Sequence, residues 1–166
     1  MGKYDDMKMI RLPGDPVRSI YVIGSLRNPR VPEVANQLRD TGHDVFDDWW
    51  AASEDADDWW QKYEKARGRD FISALNGWAA SHVYKYDRFH LERADAGVLV
   101  LPAGKSGHLE LGFLMGRGKP GFILLDGEPD RFDVMYKFAR GVYKTTTELI
   151  EGIDKWDKDE RGMFRQ

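Results

Sequence analysis

The stretch Ala96-Gly97-Val98-Leu99-Val100-Leu101-Pro102-Ala103-Gly104-Lys105-Ser106-Gly107-His108-Leu109-Glu110-Leu111-Gly112 decides the fold. Its first six residues are apolar without alternation, as in a strand buried on both faces of a parallel sheet. Residues 102–107 read as a glycine-containing loop and 109–116 as a helix. Strand, loop, helix is half of a parallel crossover, and the pattern recurs along the chain. Residues 19–24 (Ser-Ile-Tyr-Val-Ile-Gly) read as a first strand. A helix follows in which Pro32 suits the first turn and Val34, Ala35 and Leu38 carry the apolar spacing. Residues 44–46 begin a second strand, 122–125 form a fourth, and Val142-Tyr143 a short fifth. Thr145 with Glu148 forms a capping box for a last helix. Strands alternating with helices give an α/β domain with a central parallel sheet of about five strands, covered on both faces.

The domain is expected to span residues 19–153, with an irregular arm at 1–18 and a charged, frayed tail at 154–166. Residues 47–69 read as an insertion, with the tryptophan pairs Trp49-Trp50 and Trp59-Trp60 around the acidic run Ser53-Glu54-Asp55-Ala56-Asp57-Asp58. A helix is expected there over 55–67, then helical stretches over 71–80 and 86–93, and a short one over 133–139. The tryptophans read either as packing or as a stacking lid for an aromatic ligand, and the acidic residues as a solvated face.

Composition narrows the chemistry. The chain has 166 residues and no cysteine, so disulfides, thiolate metal sites and cysteine nucleophiles are out. A formal net charge of −3 argues against a nucleic-acid polymer as partner. No run is long and apolar enough to span a membrane, and residues 1–15 hold no signal-like apolar stretch. The expected location is the cytoplasm. His43, His82, His90 and His108 show no metal-ligand spacing, and no metal is expected.

Parallel sheets bind ligands outside the carboxyl ends of their strands, which singles out the loops at residues 24–30, from 47 onward and at 102–107. Glu110 falls in the first turn of the helix after the strongest strand. There a Glu serves the helix dipole or serves chemistry, and the glycines at 107 and 112 allow close approach of other groups. Gly24-Ser25-Leu26-Arg27 offers backbone N–H groups, a hydroxyl and a guanidinium, a set suited to phosphate or carboxylate, or it is a plain connection. Asp87 lies between Tyr86 and Phe89, neighbours that raise a carboxyl pKa by desolvation or simply belong to the core. Asp95 reads as a turn residue leading into the central strand.

Together these segments resemble the nucleoside 2-deoxyribosyltransferase superfamily, which includes the 2′-deoxynucleoside 5′-phosphate N-hydrolases. The resemblance covers residues 19–150. It rests on Ile20-Tyr21-Val22-Ile23-Gly24-Ser25-Leu26-Arg27, on Asp87 with Ala94-Asp95-Ala96-Gly97-Val98, and on Gly107-His108-Leu109-Glu110-Leu111-Gly112. It implies a three-layer Rossmann/flavodoxin-like fold. It further implies Glu110 as nucleophile, Tyr21 as its contact, and Asp87 as the group handling the base and its proton. Ser25 and Arg27, with Gly24, Ser106 and Gly107, would then take a 5′-phosphate. It implies no cofactor, a nucleoside or nucleotide as partner, and at least a homodimer; Trp78, Tyr84, Phe113 and Met115 are candidates for that interface and equally for the core. Transferases of the group often carry another carboxylate six residues before the nucleophile; here that residue is Gly104. The other readings are a nucleotide-binding module without turnover and an NAD glycohydrolase.

Overall fold

The computed structural model describes residues 17–163. Of the arm expected at 1–18 only Val17 and Arg18 fall among them. The five strands are β1 (Ser19–Ile23), β2 (Asp44–Phe46), β3 (Ala96–Val100), β4 (Gly121–Leu124) and β5 (Gly141–Tyr143). All pair in parallel, in the order β2-β1-β3-β4-β5. Chain order reverses between β1 and β3, so the crevice outside the carboxyl ends of these two strands is the place for a ligand.

The helices are α1 (Arg30–Asp40), α2 (Ala56–Ala66), α3 (Phe71–Leu75), α4 (Trp78–Arg93), α5 (Lys105–Gly116) and α6 (Thr146–Met163). Strand residues alternate between two apolar layers, as the pleat requires. Ile20, Val22, Val98, Val100, Phe122 and Leu124 meet Val31, Val34, Ala35 and Leu38 of α1 and Leu149, Ile153 and Trp156 of α6. Tyr21, Ile23, Leu99 and Ile123 meet Leu91 of α4 and Leu111 and Leu114 of α5. The fold is thus the three-layer α/β arrangement read from the sequence.

Several boundaries differ from the sequence reading. The helix α5 begins at Lys105, within the expected loop, because Gly107 lets its first turn settle on the sheet. A Cβ on Gly107 would lie 3.1 Å from Leu99 and 3.2 Å from Ile23. Glu110 therefore sits in the second turn of α5. The helix α4 is one unbroken element from Trp78, since no Gly or Pro interrupts it, and Gly77 separates it from α3. The span expected as helix over 133–139 is a 3₁₀ turn, Val134–Phe138.

The tail is the largest correction. Residues 154–163 continue α6 instead of fraying, with Trp156 and Asp157 buried. Asp157 accepts hydrogen bonds from Arg18 and Arg161, both at 2.6 Å. Burial opposes ionisation of Asp157, but these two guanidinium bonds outweigh it and hold its carboxyl below the usual value. The expected capping box is present: Glu148 N donates to Thr145 Oγ1 and Thr145 N to Glu148 Oε2, each at 3.2 Å.

Candidate active site

Tyr21, Asp87 and Glu110 come from β1, α4 and α5, and the fold brings them together. Tyr21 points into the layer under α4 and α5, and its hydroxyl hydrogen-bonds the Glu110 carboxylate. Burial, together with the nearby carboxylates of Glu110 and Asp87, raises the Tyr21 pKa far above its ordinary value. The phenol therefore stays protonated and serves as a donor. Burial also pushes Glu110 up to about 7, with the charge of Asp87 adding to the rise and the Tyr21 hydrogen bond opposing it. Asp87 rises to about 6 through burial.

The desolvation has a visible source in an aromatic wall. His90 stacks on Phe46 at 3.8 Å between centroids and 7° between planes. Tyr21 lies 5.1 Å and Tyr86 5.8 Å from the Phe46 ring. Two carboxyl groups in a partly dry site, close enough to feel each other's charge, titrate as a pair. Through the window from about 6 to about 7 the pair holds one proton. Perturbed acids at a sheet's ligand crevice mark a candidate for proton and nucleophile chemistry.

The loop after β1 packs closely against its surroundings. Gly24 is a packing glycine, since a Cβ there would meet Val31 at 2.6 Å and the Val100 carbonyl at 3.4 Å. Ser25 Oγ accepts the Arg27 backbone N–H at 3.2 Å. The Arg27 guanidinium turns outward to Asp58 of α2, at 3.0 Å. Ser106 is exposed in the first turn of α5, beside an open cleft of about 640 Å³ lined by Ala103, Gly104, Lys105, His108 and Leu109. His108 is no free loop residue: its Nδ1 faces the Gly104 carbonyl at 2.8 Å and its Nε2 the Tyr136 hydroxyl at 2.9 Å. Asp95 accepts the Ser19 N–H at 2.8 Å, which makes it the turn residue it resembled.

Two further residues shape the crevice and escaped the sequence reading. Buried Asn28 donates to the carbonyls of Val100 and Pro102, both at 3.3 Å, and accepts the Arg30 N–H at 3.0 Å. Arg30 donates to the Leu101 and Leu125 carbonyls at 2.8 and 3.2 Å. They tie the loop after β1 to the ends of β3 and β4. The only signal available was a polar Asn-Pro-Arg run closing the loop after a buried strand. Among the described residues no cluster of His, Asp or Glu is placed to hold a metal ion, and no helix is long and apolar enough to cross a membrane.

No protein-family model matches the chain, and no curated protein matches its sequence. Solved structures do match. One is a 2-deoxyribosyltransferase from the psychrotolerant bacterium Bacillus psychrosaccharolyticus, at TM-score 0.53 and 18% identity over 80% of this chain and 90% of that one. This chain therefore has a fold similar to that of this enzyme. A conserved protein from Enterococcus faecalis V583 aligns at TM-score 0.57 and 16% identity, over 84% and 99% of the two chains. A CMP N-glycosidase from Clostridium botulinum aligns at TM-score 0.47 and 11% identity, over 82% and 99%. In this fold Tyr21 lies on β1 and Glu110 on the helix that follows β3, the two strands of the switch point, and the Trp-rich insertion is hydrogen-bonded to both sides of the loop after β1.

Proposed function

We propose that this protein cleaves the N-glycosidic bond of 2′-deoxynucleosides or their 5′-monophosphates through a covalent glycosyl–Glu110 intermediate, as a deoxyribosyltransferase or a nucleotide N-hydrolase. The observation that carries this reading is the meeting of Glu110, Asp87 and the Tyr21 hydroxyl in one desolvated site, with both carboxyl groups raised toward neutrality. The fold likeness is consistent with it, and fold alone does not decide function.

In the first step a Glu110 oxygen bonds to the anomeric carbon as the carbon–nitrogen bond breaks. The bonding pair leaves with the base, which takes the proton of Asp87. Tyr21 donates to Glu110 and so favours the singly protonated form that reacts, in which Glu110 is ionised and the proton is on Asp87, although burial gives Glu110 the higher pKa of the two. In the second step the Asp87 carboxylate takes a proton from water, or from an incoming base, and the new nucleophile displaces Glu110. This is the double displacement of retaining glycosidases, with one carboxylate as nucleophile and one as acid and then base. A 2′-deoxy sugar helps, because no electron-withdrawing hydroxyl sits beside the developing positive charge. Ser25 and Arg27 bind the 5′-phosphate when one is present, and Ser106 adds a hydroxyl. Gly24 and Gly107 contribute by letting the elements pack closely.

The test is base release from a panel of deoxynucleosides and 5′-monophosphates, each with and without a second free base. Release from monophosphates alone identifies a hydrolase, and exchange that requires the acceptor identifies a transferase. Glu110→Ala should abolish release while leaving the fold intact by circular dichroism; full activity in that variant would refute the assignment. Ligand-dependent rise of the melting temperature without any product would instead identify a nucleotide-binding module.

A further inference from the structure

The acidic run of the insertion is more than a solvated face, because Asp58 holds Arg27. The placement is set by the fold. Trp49 Nε1 donates to the Val22 carbonyl at 2.8 Å, and Trp50 Nε1 to the Asn28 carbonyl at 3.2 Å. These two bonds bracket the loop that carries Ser25 and Arg27, so the insertion is bolted to both sides of it. The following helix, α2, then presents Asp58 to the guanidinium. Both side chains are mostly exposed, at 63% and 66% of their surface, so the ion pair is weak and replaceable. Glu54, Asp55 and Asp57 lie close in sequence and add negative potential around it.

We propose that Asp58 is a specificity-determining residue: it occupies Arg27 in the unliganded protein, so a substrate's 5′-phosphate must displace it, and the site is thereby biased toward uncharged nucleosides. The inference rests on the proposed function, in that Arg27 is taken as the phosphate-facing cation of that site. A nucleoside has no group that competes with Asp58 and is indifferent to it. A phosphate must break the ion pair and enter a locally negative field, and both penalties fall when Asp58 loses its charge. An exposed pair of this kind is worth at most about a five-fold change in an equilibrium constant.

The experiment measures binding by calorimetry for deoxyadenosine, deoxycytidine and their 5′-monophosphates, with Glu110→Ala present throughout to prevent turnover. Asp58→Asn should tighten the monophosphates about five-fold and leave the nucleosides unchanged, and the gain should vanish when Arg27→Gln is added. Equal change for both ligand types, a gain that survives the loss of Arg27, or no monophosphate binding in Asp58→Asn would each overturn the proposal. Base release is followed separately in chains that retain Glu110. Selective tightening without release upholds the role of Asp58 and removes the glycosidase reading. Release without selective tightening does the reverse.

Discussion

Glu110 and Asp87 owe their chemistry to desolvation, and desolvation has consequences that can be titrated. With Asp87 at about 6 and Glu110 at about 7, the singly protonated pair dominates between these values. The profile of kcat/KM against pH should be bell-shaped with its maximum in that window, falling as the pair gains a second proton or loses its last one. Asp87→Asn removes the acid whose ionisation ends activity on the alkaline side, so the basic limb should disappear while release falls by about 10²–10⁴. A basic limb that stayed in place would show that Asp87 is not the proton donor. Stability should report the same strain. A carboxyl whose folded pKa lies above its unfolded value binds more protons when folded, so it favours folding below the unfolded pKa and loses that favour as pH rises through the folded one. For Glu110 the loss runs from about 4.5 to about 7. Glu110→Gln should therefore stabilise the fold at about pH 8, by roughly 1 kcal/mol in urea unfolding after allowing for partial exposure. The difference should disappear at about pH 4. At this scale Tyr21, Asp87 and Glu110 were named together only through the family resemblance, because their meeting depends on how α4 and α5 pack over β1. Asn28, Arg30 and Asp58 were not, because their roles depend on carbonyls and a guanidinium that only the folded chain brings near.

Elements were legible where burial is uniform and misread where one residue decides a boundary. The five strands stand out because all but the shortest are nearly continuous apolar runs, and a parallel sheet buried on both sides requires that. The start of α5 was placed late, since Gly104 and Gly107 read as loop signals when Gly107 is in fact the point of closest helix–sheet approach. The end of α6 was read as frayed because its charges are dense. Two of those charges, Asp157 and Arg161, form a largely buried network with Arg18, and Trp156 beside Asp157 faces the sheet: its ring lies 5.9 Å from that of Phe122 and 5.1 Å from the Arg18 guanidinium. The final helix is therefore part of the core, and Trp156→Ala should cost about 3–5 kcal/mol in urea unfolding. Asp157→Ala should cost a similar ~3–5 kcal/mol by leaving Arg18 and Arg161 without their shared carboxylate. A Trp156→Ala loss below about 1 kcal/mol would return the segment to the status of a peripheral tail.

On the scale of the whole molecule, one side is unfinished. The sheet is covered by α1 and α6 on one face and by α4 and α5 on the other, yet α3 and α4 turn large apolar groups to solvent. Phe71 is 66%, Ile72 63%, Trp78 86% and Phe89 63% exposed. Large apolar groups exposed together on neighbouring helices are where the expected second copy would dock. The interface candidates named from sequence divide accordingly: Phe113 and Met115 pack against the core, while Trp78 and Tyr84 remain outside. The same helix carries Asp87, so a second copy seated on α3 and α4 would cover the side of the site nearest that acid and deepen its desolvation. Sedimentation equilibrium at about 10 μM should give a dimer, for which an interface of roughly 1,200–2,000 Å² is needed. Trp78→Glu tests the surface without threatening the fold, because the residue is the first of α4, where a negative charge suits the helix dipole. The variant should sediment as a monomer with an unchanged far-ultraviolet spectrum. Its carboxyl pair should titrate lower than in the wild type, because solvent then reaches Asp87. A wild-type monomer at that concentration, or a Trp78→Glu dimer, would move the interface elsewhere and leave Asp87 desolvated by Phe46, Tyr86 and His90 alone.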